Sequence, residues 1–207
     1  MRRVRNLSHP KKSVFSFVVD GECELWYLQL LKQHESLTIH LEPKIPVKKK
    51  LNDQLEMVKT LSVESEKVFW IVDFDTILKE TKEAKKGNKT SLQEFRDLYE
   101  QCKNNEKIVI IVNNPCLEYW FLQHFEQTSK YFVSYDQLEK SLKRHLPDYE
   151  KKEKYFKYSK LNIYQKLKPY LNTAISNAML LGEFTFENTQ TGMAEMYKIF
   201  NILRKGL

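Results

Sequence analysis

The sequence predicts an α/β fold in which helices flank a mostly parallel sheet of about four strands, followed by a C-terminal helical extension. Three apolar runs without alternation, VFSFVV at 14–19, VFWIV at 68–72 and IVIIV at 108–112, are typical of strands buried on both faces. Helical periodicity separates these runs, as expected for parallel strands joined by helices. With 5 glycines and 6 prolines in 207 residues, the chain has too few turn residues for an all-β sandwich or barrel.

The first elements follow from the spacing of apolar residues. Leucine and aromatic residues at helical spacing predict helices over 24–34, 52–62 and 91–102. A weaker strand is predicted over 38–45, between the first two helices. The lysine-rich stretch at 85–91 is expected to be a loop.

The second half of the chain is expected to be helical. Asn114 followed by Pro115 predicts the start of a helix, because Asn is a favoured N-cap and Pro suits the first helical position. Beyond residue 134 we expect helices only, with breaks near Pro147 and at 181–186. The chain then divides into a core over 13–127 and a basic, aromatic helical extension over 128–207, packed on the core.

The formal charge of +7 is unevenly distributed. Residues 1–127 carry 20 basic and 19 acidic side chains, whereas residues 128–207 carry 14 and 8, which gives net charges of +1 and +6. A polyanion-binding surface is therefore expected mainly in the last third. Three cysteines without a CxxC pair favour a reducing, cytoplasmic setting. Neither an export segment nor an apolar run of the roughly 20 residues needed to cross a bilayer is expected.

Acidic residues follow three of the predicted strands. They are Asp20, Glu22 and Glu24 in DGECE, Asp73 and Asp75 in DFD, and Glu118 in the first turn of the following helix. Neighbouring carboxylates repel one another unless a cation lies between them, and carboxylate oxygens suit Mg²⁺ or Mn²⁺. In an extended segment Asp73 and Asp75 project on the same side, so the pair predicts a metal site. Glu22 fits better as a solvated charge at a helix start.

The segments FVVDGECELWYLQLLK, FWIVDFD and IVNNPCLEYWFLQHF together resemble the RloB-like family, whose members carry a Toprim domain related to that of OLD-family nucleases. The resemblance implies that Asp73 and Asp75, with Asp20 or Glu24 from the acidic turn, bind Mg²⁺ or Mn²⁺, and it adds Glu118 as a further metal-site residue. The family has glutamate where this chain has Asp20, so the resemblance leaves open whether Asp20 or Glu24 acts as the acid/base. It also implies a role in bacterial phage defence or abortive infection beside an ATPase partner.

Several other chemistries compete for the same residues. DFDTI also fits the nucleophile loop of haloacid-dehalogenase-type phosphatases, but no later acidic pair completes that site. His124 on an apolar helix face is expected to be a packing residue. The five glycines form no phosphate loop, so ATP hydrolysis by a P-loop is excluded for this chain.

Basic residues near these acids are candidates for nucleic-acid binding. Residues 140–168 hold ten Lys or Arg against three acids, interleaved with aromatic residues, as on single-strand-binding surfaces. An amphipathic helix pair with solvated lysines explains the stretch equally well. The predicted contacts are Lys82, Lys85, Lys86, Lys89, Lys143, Arg144, Lys151, Lys152, Lys154 and Lys157.

The sequence therefore predicts a Mg²⁺-dependent Toprim nuclease that hydrolyses phosphodiesters of DNA or RNA. The competing hypothesis is a non-catalytic Toprim regulator that binds nucleic acid or a partner ATPase.

Overall fold

The predicted apolar runs form the centre of an open sheet in the computed structural model, which describes residues 14–35, 40–44 and 50–205. Its five strands lie in the order β2-β1-β3-β4-β5. They are β1 (Val14–Val18), β2 (His40–Lys44), β3 (Lys67–Asp73), β4 (Ile108–Asn114) and β5 (Met193–Ala194). The first four are mutually parallel and β5 runs antiparallel to β4. The predicted mostly parallel sheet is confirmed, although parts of the predicted strand 38–45 lie outside the described residues.

Strand β3 illustrates why an unbroken apolar run forms a central strand. Its residues 68–72 are all buried. Phe69 and Ile71 belong to one hydrophobic cluster, whereas Val68, Trp70 and Val72 belong to a second cluster on the opposite face. Alternate side chains therefore enter two separate cores, so both must be apolar.

Helices cover both faces of the sheet. The helices whose side chains enter the Trp70 cluster are α2 (Leu51–Glu64), α3 (Phe74–Glu83) and α4 (Ser91–Cys102). Those whose side chains enter the Phe69 cluster are α1 (Glu22–His34), α5 (Leu117–Gln123), α6 (Tyr135–Leu142), α7 (Glu153–Tyr158), α8 (Ile163–Leu167), α9 (Leu171–Leu180) and α10 (Tyr197–Lys205). A 3-10 turn at Lys168–Tyr170 joins α8 to α9. Buried residues from before and after position 128 therefore share one core.

Two boundaries differ from the prediction because β3 and β4 end in unexpected ways. Helix α3 begins at Phe74, directly after β3, so the DFD segment is a strand-to-helix junction and not an extended pair. Strand β4 continues through Asn114, and α5 begins at Leu117 with Cys116 as its N-cap, so the predicted helix start at Asn114–Pro115 is wrong. The Asn114–Pro115 peptide bond is cis.

The expectation of helices only beyond residue 134 is also wrong, because β5 pairs with the end of β4. The Glu195 carboxylate holds this segment: it accepts hydrogen bonds from the backbone N–H groups of Val112 and Phe184, both at 2.9 Å. Gly192 is required beside β5, because a Cβ there would overlap the Tyr119 hydroxyl and lie 2.8 Å from a backbone carbonyl oxygen. Among the helices of the described segments, none has the length and apolar character to span a membrane.

Candidate functional site

The acidic residues meet where the strand order reverses. From β1 the chain continues to β2 on one side of β1, and it then returns to form β3 on the other side. The order in which strands are added to the sheet therefore reverses between β1 and β3. Ligands of open α/β sheets bind beyond the carboxyl ends of strands at this point. Asp20 and Glu24 follow β1, Asp73 is the last residue of β3, and Asp75 lies in the first turn of α3.

Asp73 carries the least compensated oxygen of the group. Its Oδ1 atom is buried and accepts no hydrogen bond from any residue in the described part of the chain. Burial raises the pKa of Asp73 well above its ordinary value, and the nearby carboxylates of Glu24 and Glu118, then Asp75 and Asp20, raise it further. The acids predicted from three separate strand ends therefore act on one another.

Burial raises the pKa of both Glu24 and Asp75, and the positive charge of Lys151 opposes the rise at both residues. Burial raises the pKa of Glu24 to about 7, and Glu118 and Asp20 add to the rise. Burial also raises the pKa of Asp75, whereas the positive charge of Lys151 opposes the rise. The backbone N–H of Asp75 donates to the Pro115 carbonyl oxygen at 3.0 Å, which ties the start of α3 to the end of β4.

Glu118 is completely buried and its carboxylate is held on both oxygens. Its Oε1 atom accepts a hydrogen bond of 2.6 Å from the Tyr149 hydroxyl. Its Oε2 atom accepts a hydrogen bond of 3.0 Å from the Cys116 thiol and lies 3.1 Å from the Lys151 ammonium nitrogen. Tyr149 and Lys151 come from the segment between α6 and α7, so residues beyond 128 complete the surroundings of an acid from the core.

Lys151 has a different environment from the one predicted for it. Its Nζ atom pairs with Glu118 and lies 3.9 Å from the centre of the Tyr135 ring. Burial acts to lower the pKa of Lys151, but the negative charge of Glu118, with that of Asp73, raises it overall. The ammonium group therefore stays charged and faces the carboxylates.

A buried hydrogen-bond chain orients Asp20. The Trp70 indole N–H donates to Gln54 Oε1 at 2.7 Å, and Gln54 Nε2 donates to Asp20 Oδ1 at 3.1 Å.

Sequence reasoning missed Gln54 and the role of Tyr149. A polar residue on the buried face of α2 is the signal that identifies Gln54, whereas Tyr149 lies in a stretch with no regular spacing. Glu22 is exposed, consistent with a solvated charge.

The remaining predicted basic residues lie outside this centre. Lys82 is at the end of α3, and Lys85, Lys86 and Lys89 lie in the following loop, all exposed. Within the described residues, ion pairs join Lys89 to Asp97, Lys143 to Glu139, Arg144 to Glu126, Lys152 to Glu150 and Lys157 to Glu153. Lys154 is exposed on α7. These pairs neutralise part of the charge that the sequence offers to a polyanion.

The aromatic residues of 140–168 are mostly part of the core. Tyr149, Tyr155, Phe156 and Tyr164 are buried, whereas Tyr158 is 73% exposed. The four buried rings are therefore unavailable for stacking on bases. For these rings the amphipathic-helix interpretation is correct.

His124 is a packing residue, as predicted. It is buried, and its Nδ1 lies 3.0 Å from the Trp120 carbonyl oxygen, which accepts the hydrogen bond. Burial lowers the pKa of His124 to about 4, so the imidazole is neutral at physiological pH.

Across the described ranges, no group of three or more His, Cys, Asp or Glu side chains is already arranged to hold a metal ion. The donor chemistry nevertheless fits Mg²⁺ or Mn²⁺, because several hard carboxylate oxygens lie near one another here. In addition, the Asp73 Oδ1 atom is buried and accepts no hydrogen bond from the described residues. Mg²⁺ commonly takes one or two carboxylates and completes its shell with waters and substrate phosphate. The residue types therefore suit a cation, although the described residues form no closed set of ligands.

Comparison with known proteins gives one match. The model of the family described as RloB-like protein matches residues 15–203. No curated protein and no solved structure matches the chain. The matched range includes every acidic residue described above, together with Tyr149 and Lys151.

Proposed function

The chain belongs to the RloB-like family, and we propose that it is a Mg²⁺- or Mn²⁺-dependent phosphodiesterase that cleaves nucleic acid at a Toprim-type centre. The observation that carries this proposal is the buried, unbonded Oδ1 atom of Asp73 among the carboxylates of Glu24, Asp75 and Glu118. Burying like charges together is costly unless a cation compensates them. Such a cluster is characteristic of functional sites.

The acids divide into two groups by their existing contacts. Asp73 and Asp75, with Asp20 or Glu24, are the residues that would hold the metal. Glu118 already accepts contacts from Tyr149, Cys116 and Lys151 on its two oxygens, so it is the least available of the predicted ligands. In this proposal Glu118 positions Lys151, although the sequence resemblance made it a metal ligand.

A bound divalent metal supplies an activated water and stabilises negative charge on the transferring phosphoryl group. The protein's own residues would bind, orient and move protons around it. Lys151 faces the centre and would stabilise charge on a phosphate oxygen. Glu24 is buried beside Asp73 and would carry the proton, and its pKa of about 7 suits a group that both accepts and donates protons near neutral pH. Asp20, fixed by Gln54, would be a ligand.

A cleavage panel tests the proposal directly. The wild-type chain and an Asp73→Asn, Asp75→Asn variant are incubated with single-stranded DNA, duplex DNA and RNA over a titration of Mg²⁺ and Mn²⁺. We expect metal-dependent cleavage of at least one substrate and at least a hundredfold loss in the variant, as for loss of charge stabilisation in an active site. Asp97→Asn, an exposed aspartate on α4, is the matched control and should retain activity. Cleavage that survives in the double variant overturns the assignment.

A non-catalytic regulator is the second candidate, and the absence of a preformed cluster of three metal ligands in the described residues favours it. Calorimetry separates the two. Binding of Mn²⁺ that is lost in Asp73→Asn supports the enzyme, whereas no binding at millimolar metal with oligonucleotide present supports the regulator.

The biological setting that we propose is an effector of bacterial phage defence or abortive infection that acts beside an ATPase. Family membership supports this setting, and the chain lacks the glycine-rich loop that ATP hydrolysis by a P-loop requires. A phage plaque assay in cells that carry the chain with its neighbouring genes, wild type against Asp73→Asn, tests it. Equal plaque counts for the two would contradict the setting.

A further inference from the structure

A cavity of about 490 Å³ opens directly beside Asp75. One wall is the exposed face of α3, and the opposite wall is the segment 131–134, which precedes α6. Clefts of roughly 300–1,000 Å³ are the usual size for small-molecule sites. The cavity is thus large enough for a ligand and adjoins the proposed metal centre.

The wall formed by α3 carries a row of polar side chains that begins at Asp75, beside the proposed metal centre. Asp75, Lys79 and Lys82 are four and three residues apart, so they share one face of the helix. At a rise of about 1.5 Å per residue, the two lysines lie about 6 and about 10 Å from Asp75 along the helix axis. Glu83 also lines the cavity, so this wall offers two ammonium groups against one carboxylate beyond the centre itself.

The opposite wall offers an aromatic ring. Tyr131 lines the cavity and is half-buried, and Val133 beside it is 50% exposed. A half-buried ring that lines an open cavity is suited to stacking against a planar base. Tyr131 thereby differs from the aromatic residues at 149–156, which are inside the core.

We propose that this cavity binds one unpaired nucleotide next to the phosphate that is cleaved, with its base against Tyr131 and its flanking phosphate at Lys79 and Lys82. This inference rests on the proposed function and adds a substrate class to it, namely single-stranded nucleic acid or an unpaired end. A base paired in a duplex is stacked on its neighbours and does not enter a two-walled cavity, whereas an unpaired base does.

Fluorescence anisotropy with a short fluorescein-labelled oligonucleotide tests the inference, with EDTA present so that nothing is cleaved. The same sequence is used single-stranded and as a duplex, in DNA and in RNA. We expect Tyr131→Ala to weaken single-strand binding at least about fivefold, the lower limit for one stacked base, and to leave duplex binding unchanged. Tyr131→Phe keeps the ring and should bind as wild type does. Melting temperatures establish that the variants are folded.

A second pair of variants tests the lysines. Lys79→Gln with Lys82→Gln should reduce the slope of log K against log salt by about 0.7, the value for one neutralised phosphate on a single strand. Lys103→Gln with Lys107→Gln is the matched control. These lysines precede β4 and lie at the amino ends of the strands, whereas the cavity lies at the carboxyl ends. The control should leave the slope unchanged.

Several outcomes overturn the inference. Absence of oligonucleotide binding by wild type is one, and equal weakening of single strand and duplex by Tyr131→Ala is another. Loss of binding in Tyr158→Ala, with none in Tyr131→Ala, moves the binding surface to α7. The cleavage panel separates the two proposals. If the wild type cleaves nucleic acid and Tyr131→Ala binds single strands as the wild type does, the cavity assignment alone is overturned. If Tyr131→Ala specifically loses single-strand binding but the wild type cleaves no substrate, catalysis alone is overturned.

Discussion

Replacing Lys151 by Met removes the ammonium group that pairs with the buried Glu118 carboxylate. Loss of one partner of a buried ion pair costs about 3–5 kcal/mol, because it leaves an uncompensated charge in the interior. The Lys151 side chain is 36% exposed, so water screens part of that charge and we expect a loss of about 2 kcal/mol. Met retains the apolar part of the Lys side chain, so the change removes mainly the charge.

The free energy of unfolding is measured by urea denaturation at neutral pH with EDTA. Lys152→Met is the matched control, because it breaks an exposed pair with Glu150 and should cost less than about 0.5 kcal/mol. Adding Glu118→Gln to Lys151→Met removes the unpaired charge, so the double variant should recover at least half of the loss. A loss no greater than in the control, or a further loss in the double variant, refutes the reasoning.

Three further predictions concern the same core. Tyr149→Phe removes a donor from a buried carboxylate and should lower the free energy of unfolding by about 1.5–3 kcal/mol in urea denaturation, and an unchanged value contradicts the hydrogen bond. The unfolded chain protonates His124 near pH 6.5 and the folded chain only near pH 4, so acidification across that range should cost about 3 kcal/mol. His124→Gln should flatten this pH dependence; a curve parallel to that of wild type is the contrary result. Mn²⁺ at about 100 times its dissociation constant should add about 2.7 kcal/mol to wild type in a thermal shift assay and nothing to Asp73→Asn, whereas equal stabilisation of both excludes Asp73 as a ligand.

The sequence predicted the parallel sheet because its strands carry their own signal. Val68–Val72 must be apolar at every position, since alternate residues enter different cores. Strand β5 has no such signal: two residues cannot show a period, and the hydrogen bonds of Glu195 to distant backbone groups define it. Its position therefore depends on tertiary contacts that no local pattern records.

The acidic residues could be located from the sequence because parallel strands end at one edge of a sheet. Their local geometry could not, since α3 starts within the DFD motif where an extended segment was expected. Nor does composition tell which of the ten basic residues at 140–168 pairs with a buried acid. Lys151 does so because Glu118 and the Tyr135 ring form its surroundings, and these three residues are distant in the sequence.

The predicted boundary at residue 127 crosses the candidate site. The carboxylates come from before it, whereas Tyr149 and Lys151, which compensate Glu118, come from after it. The cavity repeats this arrangement, with α3 on one wall and Tyr131 on the other. Part of the +6 charge of the last third therefore compensates a buried carboxylate of the first segment. A centre built from both segments requires them to fold together, in agreement with a family match that extends over 15–203.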